Sequence, residues 1–203
     1  MTVPGAKLGD RFGEAFLFAA EKHARQTRKK TGVPYISHLM SVAALVLEAG
    51  GDEDQAIAAL LHDVVEDCGG QPMLAEVRLR FGDRVAGIVA GCTDTYAIPK
   101  PPWKQRKLDY LDVLRGSNED VRLVSAADKL HNVRTILADY RRTGDSVFER
   151  FSGRRDGTLW YYRAVLEVLR SGRPNRLVEE LERVVTELET LVRQGARGGA
   201  ALS

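Results

Sequence analysis

The segment Ala59-Leu60-Leu61-His62-Asp63-Val64-Val65-Glu66-Asp67 sets four ionisable groups directly after an apolar run. Its spacing predicts a helix on which His62 lies beside Glu66 and Asp63 beside Asp67, because residues four apart share a face. A solvated helix end seldom follows a buried run in this way, and the crowding points to metal and acid/base chemistry. One helix supplies too few ligands for a metal. His38, in Pro34-Tyr35-Ile36-Ser37-His38, and Asp128, in Ser125-Ala126-Ala127-Asp128-Lys129-Leu130-His131-Asn132, can complete the set. Read singly, they are a helix-start histidine and a salt-bridged acid. Read together, His38, His62, Asp63 and Asp128 are two imidazoles and two carboxylates, a set suited to Mn²⁺, Fe²⁺ or Zn²⁺. A metal so held leaves positions for water and substrate. Glu66 and Asp67 lie one turn along and can orient or deprotonate that water.

The order His38, His62-Asp63, Asp128 resembles the H…HD…D signature of HD-superfamily phosphohydrolases. Arg28-Lys29-Lys30-Thr31-Gly32-Val33-Pro34-Tyr35-Ile36-Ser37-His38 resembles the entry segment of the RelA/SpoT hydrolase domain. His62-Asp63-Val64-Val65-Glu66-Asp67 resembles its HDxxED motif, and Asp128-Lys129-Leu130-His131-Asn132-Val133-Arg134 its third motif. The three cover residues 12 to about 140, and the group includes stand-alone small alarmone hydrolases. The resemblance implies an all-α, HD-type single-domain bundle that removes the 3′-pyrophosphate of (p)ppGpp with Mn²⁺, using Glu66 and Asp67 as its catalytic pair. It places Arg28, Lys29, Lys30, Asn132 and Arg134 at the nucleotide. In the family, Arg then Lys usually stand where this chain has Lys29 and Lys30; here arginine comes one position early, as Arg28. A lysine stacks on a guanine less well than a guanidinium does, so this departure bears on guanine selectivity rather than on hydrolysis. Two alternatives stay open: an HD phosphatase of another nucleotide, such as a nucleoside monophosphate or NADPH, and a non-catalytic nucleotide-binding HD module. The second would usually lack a ligand or the acid pair, and all six residues are present.

A polyphosphate needs cations. Lys22, Arg25, Arg28, Lys29 and Lys30 form a basic run without an acid that leads into His38; as charge alone it equally describes a solvated helix end. Lys104, Arg106 and Lys107 follow a proline-rich stretch and can either meet distal phosphates or face solvent. Trp160, Tyr161 and Tyr162 can wall a pocket, although consecutive helical residues cannot all face one way.

These residues need helices to position them. Apolar spacing is helical almost throughout the 203 residues, with no convincing alternating strand, and eight to ten helices are expected. Phe12, Phe16, Ala19, Ala20 and His23 share a face. Gly50-Gly51 close one helix, and Asp52 with Gln55 opens the next as a capping box. Gly69, Gly70 and Pro72 mark a break, Thr93–Pro102 a loop, and Gly116-Ser117-Asn118 a connector. Leu177, Leu181, Val184, Leu188 and Leu191 make a terminal amphipathic helix with a solvated glutamate face. The expected organisation is a flexible start over 1–8, the hydrolase domain over 9–194 and a frayed tail over 195–203.

Composition narrows the classes further. The chain is 44% apolar, and 30 basic residues nearly balance 28 acidic ones, which argues against disorder and against a dedicated nucleic-acid binder. No apolar run approaches the ~20 residues of a membrane span, and no export signal opens the chain. Two cysteines, Cys68 and Cys92, read as reduced thiols of a cytoplasmic protein. The expected partner is a small nucleotide, with no nucleic acid or membrane and with homo-oligomerisation left open. The resembling motifs and their helices occupy nearly the whole length. That leaves no room for a synthetase domain and implies a chain that degrades the signal nucleotide.

Overall fold

The computed structural model describes residues 7–29, 31–97 and 99–200, with side chains described as far as residue 196. Ten α-helices and one 3₁₀ helix occupy these residues, with no strand among them and one isolated bridge, Thr27 to Pro34. The helices are α1 (Asp10–Lys22), α2 (Ile36–Glu48), α3 (Glu53–Leu61), α4 (Val64–Cys68), α5 (Gly70–Phe81), α6 (Asp83–Cys92) and α7 (Trp103–Gly116). After them come α8 (Glu119–Thr143), the 3₁₀ helix (Gly144–Arg150), α9 (Arg154–Arg170) and α10 (Arg176–Ala200). The all-α bundle expected from the apolar spacing is what forms. No described helix is long and apolar enough to cross a membrane.

Helix α3 is the axis of the bundle. Its start is fixed by the capping box: Asp52 Oδ1 accepts from Gln55 N, and Gln55 Oε1 accepts from Asp52 N. Ala56 to Leu61 are all buried, so α3 has no solvent face and packs on α1, α2, α6 and α8. Helix α8 starts at Asn118, whose side chain accepts from Val121 N, and runs about 37 Å at 1.5 Å per residue. It lies against α2, α3, α6, α9 and α10 and carries Asp128 into the centre. Where α6 crosses α8, a Cβ added to Gly91 would sit 2.6 Å from Val121 Cγ2. Gly91→Ala is therefore expected to lower stability by about 1–3 kcal/mol, the usual range for overpacking. Calorimetric melting checks this; an unchanged melting temperature contradicts it.

Several expectations change. The helix expected through His62 is divided, since α3 ends at Leu61 and α4 begins at Val64, with Asp63 at φ −100° and ψ −6°. The break falls inside a buried stretch, Leu60, Leu61, His62, Val64 and Val65, and leaves Asp63, Glu66 and Asp67 lining the cavity. The break after α4 narrows to Gly69, and Pro72 sits in the first turn of α5, where a missing N–H costs nothing. On α1 the buried line is Ala15, Phe18 and Ala19, with Phe12 and Phe16 only half-buried. The terminal glutamate face is paired, not merely solvated: Glu180, Glu182, Glu187 and Glu189 meet Arg134, Arg170, Arg141 and Arg163. From residue 195, expected as a frayed tail, α10 continues to Ala200, and a Cβ added at Gly195 would lie 2.9 Å from the Tyr140 hydroxyl. Of the expected flexible start over 1–8, residues 1–6 lie outside the described residues, as do 201–203.

Candidate metal centre and nucleotide pocket

His38 leaves the first turn of α2, His62 the break after α3, and Asp128 the middle of α8. All three side chains are buried, and one donor atom from each lies within 4.8 Å of the others. His38 Nε2 is 3.2 Å from Asp128 Oδ1, and His62 Nε2 is 3.6 Å from the same oxygen. Neither Nε2 has a hydrogen-bond partner, although both are shielded from water. The far side of each ring explains its orientation. His62 Nδ1 is 2.8 Å from the Ala59 carbonyl, which only accepts, so Nδ1 carries a hydrogen and Nε2 is the atom that points inward, where a proton or a metal can be held. His38 Nδ1 meets His131 Nδ1 at 2.7 Å. Burial, with His38 and Arg28 nearby, pushes His131 down to about 4, so it is neutral and can accept from His38. Two imidazole lone pairs and a carboxylate oxygen aimed at one point form the donor set of a divalent cation, with outer partners fixing each ligand.

Asp63 flanks this set. Its Oδ2 is 3.0 Å from His62 Nε2 and 3.7 Å from His38 Nε2, and it accepts from the Tyr35 hydroxyl at 2.5 Å. The electrostatics favour a cation here. Burial opposes charge on His62, yet Asp63 and Asp128 overcome it and hold the imidazole well above its ordinary value. Burial likewise opposes charge on Asp128, but Lys129 and the two imidazoles hold the carboxylate well below its ordinary range. His38 moves the other way, lowered chiefly by burial.

The cluster opens into a cavity of about 780 Å³ lined by Asp63, Asp128, Glu66 and Asp67 among others. Burial, then the Asp63 carboxylate, raise Asp67 above the usual carboxylate range. Glu66 Oε1 lies 2.8 Å from Lys100 Nζ and 3.9 Å from an Arg106 nitrogen. The acids sit beside cations: Lys100, Arg106, Lys107 and Lys129 line the same cavity, with Asp94 bound to both Arg106 and Lys107. Tyr110, Tyr161 and Tyr162 add aromatic wall, and Trp103 closes one side, seated on Gly153 and Gly157, where any Cβ would meet its ring.

Arg28 and Asn132 join in the cavity: Asn132 Oδ1 accepts from Arg28 at 2.8 Å, and its amide donates to Asp128 Oδ1. Lys29 lines the cavity from an exposed position, and Lys30 lies outside the described residues. Arg134 does not reach the cavity. It pairs with Glu180 of α10 at 2.9 Å, because six residues along a helix turn it roughly 240° away from Asp128. Lys104 and Trp160 are absent too; Lys104 lies over the Trp160 ring outside the cavity, whereas Arg106 and Lys107 enter it. Sequence reasoning missed Tyr35, Asp94, Lys100, Lys129 and His131. The last two adjoin named positions on α8, and only the burial of Asp128 on that helix could have marked them. Cys68 and Cys92 are unpaired thiols, both pushed up to about 11, chiefly by burial, and so resist ionisation.

Three comparisons place this arrangement. The HD domain family matches residues 15–159. A guanosine-3′,5′-bis(diphosphate) 3′-pyrophosphohydrolase of Aquifex aeolicus is 42% identical over 125 residues, 60% of this chain but 17% of that protein. The enzyme of the same description, MESH1, from Xenopus tropicalis is 40% identical over 126 residues, 61% of this chain and 68% of that one. A solved structure of a metazoan orthologue of SpoT, described as hydrolysing ppGpp, superposes with a TM-score of 0.73 at 29% identity, covering 92% of this chain and 98% of the other. With the family match spanning most of the chain and the buried His38–His62–Asp128 centre inside it, this protein belongs to the HD domain family.

Proposed function

We propose that this chain is a metal-dependent guanosine-3′,5′-bis(diphosphate) 3′-pyrophosphohydrolase. The observation that carries the reading is one cavity holding a buried two-histidine, one-aspartate donor set, an adjacent acid pair and a cationic wall. The relatives described as ppGpp pyrophosphohydrolases support the choice of substrate.

The reaction adds water across the bond between O3′ and phosphorus, giving guanosine 5′-diphosphate with a free 3′-hydroxyl and pyrophosphate. His38, His62 and Asp128 would hold Mn²⁺, with Asp63 completing its surroundings. When bound, such an ion supplies Lewis acidity and makes water a nucleophile near neutral pH. Asp67, with its raised affinity for protons, takes the proton from the attacking water, and Glu66 orients it. Lys100, Arg106 and Lys107 bind the phosphate oxygens and disperse the charge that develops on them. Arg28, Lys29 and Asn132 face the nucleoside. Arg28 already stands over the Tyr35 ring, a planar cation in place to stack on a base.

The test is pyrophosphate release from ppGpp by purified protein with and without Mn²⁺, beside NADPH and nucleoside monophosphates. Mn²⁺-dependent pyrophosphate release is expected; release of monophosphate from the other nucleotides with ppGpp intact would replace this reading. Metal binding itself should depend on pH. A proton on His62 and a divalent cation compete for one point, and the raised proton affinity of His62 means the proton leaves only as pH rises. Affinity for Mn²⁺ should thus be tighter at pH 8 than at pH 6 by calorimetric titration; equal affinities would contradict the assignment.

A further inference from the structure

We propose that His23 and Gln26 are positioning residues for Asp67, acting as a two-step hydrogen-bonded strut behind the acid pair. The proposal rests on the reading of Asp67 as the base. His23 is 3% exposed, just past the end of α1, and is the one histidine of the four that takes no part in the imidazole cluster around the metal centre. Its Nδ1 is 2.6 Å from Gln26 Oε1, and Gln26 Nε2 is 2.7 Å from Asp67 Oδ2. The chemistry gives the strut one direction. In its base form the Asp67 carboxylate only accepts, so the amide nitrogen of Gln26 faces it. The amide oxygen then faces His23, whose Nδ1 must carry the hydrogen.

The ring of His23 is itself held. It stacks on Tyr35 at 5.1 Å and 27°, and Cys68 Sγ lies 3.8 Å from its Nδ1. Tyr35 donates to Asp63, and its backbone N–H donates to the Gln26 carbonyl across the loop between α1 and α2. Asp67 needs such support, because α4 has only five residues and follows a break, so its helix alone fixes little. With Oδ2 held by Gln26, Oδ1 is the oxygen left toward the cavity, where Lys100 lies 3.9 Å away. Packing alone would not need a histidine here: a phenylalanine would fill the site and stack on Tyr35 without a buried polar atom to satisfy.

The experiment compares the Mn²⁺-loaded full chain with His23→Phe, Gln26→Leu and the double variant. Gln26→Leu is expected to lower kcat about 10–100-fold, the usual cost of losing an outer-shell partner, with KM and bound metal unchanged. His23→Phe should lower kcat by a smaller factor, and the double variant should match Gln26→Leu alone, because His23 acts through Gln26. In ¹⁵N spectra of the histidine rings, wild-type His23 should carry a hydrogen on Nδ1, bonded to Gln26. A kcat within about twofold of wild type in folded Gln26→Leu overturns the proposal, as do multiplying single effects. So does a His23 Nδ1 without a hydrogen, whatever the substrate. If the wild type cleaves another nucleotide and leaves ppGpp intact, the substrate reading falls and the same comparison is made on the nucleotide cleaved. If it cleaves none, the ring tautomer decides.

Discussion

Asp128→Asn is expected to strip the metal, lower turnover by roughly 10³-fold or more and cut thermal stability, all from one atom change. The carboxylate has two tasks, one per oxygen. Oδ1 faces the two imidazoles, and Oδ2 is 2.5 Å from Lys129 Nζ. Lys129 is mostly shielded beside it, 4.9 Å from the centre of the Tyr110 ring and 5.9 Å from that of Tyr161. Its charge is therefore sustained chiefly by Asp128. An asparagine leaves that ammonium without an anion, a loss of about 3–5 kcal/mol for breaking a buried pair from one side. At this chain length that is a melting shift of roughly 10 °C. A second substitution separates the two tasks. Asp128→Asn with Lys129→Met should recover much of the melting temperature, because the stranded charge is gone, while metal content and turnover stay lost. Calorimetry, elemental analysis and pyrophosphate release report the three quantities. An Asp128→Asn protein that keeps its metal and wild-type turnover would falsify the ligand assignment.

What was legible in the sequence, and what was not, follows from the range of the interactions involved. The capping box of Asp52 and Gln55 is local and forms at the residues its spacing marks, and Asn118, expected only as part of a connector, caps α8. His38, His62 and Asp128 were recognisable by type and order, and the bundle brings them together. The break at His62-Asp63 was not readable, because no Gly or Pro between Ala59 and Asp67 marks it. Arg134 shows the opposite case: the resemblance puts it at the nucleotide, while in the structure helical geometry turns it toward Glu180. The cationic wall lay hidden because Asp94 and Lys100 sit in an aperiodic loop, and which of Lys104, Arg106 and Lys107 turns inward depends on the packing of α7 on α9.

Asp67→Asn and Glu66→Gln should behave differently from any ligand substitution: the metal stays and the chemical step fails. Neither residue belongs to the buried donor set, so elemental analysis should find metal content at the wild-type level. Loss of a positioned general base costs about 10²–10⁴-fold in rate. Asp67→Asn should fall in that range through kcat, with KM little changed. Glu66→Gln should also free Lys100, since the 2.8 Å pair between them loses its charge, so both kcat and KM should move. The pH profile separates the two acids further. Burial and the Asp63 carboxylate raise Asp67, so its base form is lost as pH falls through a value above the ordinary carboxylate range. Wild-type kcat/KM should then decline on the acid side earlier than a solvent-exposed aspartate would dictate, and in Asp67→Asn that limb should vanish from an already low rate. Because protons also compete with metal at His62, the profile is taken at saturating Mn²⁺ with bound metal measured at each pH. An acid limb that persists unchanged in Asp67→Asn would move the role of base to Glu66, whose paired cations, Lys100 and Arg106, are ones a bound phosphate would draw away.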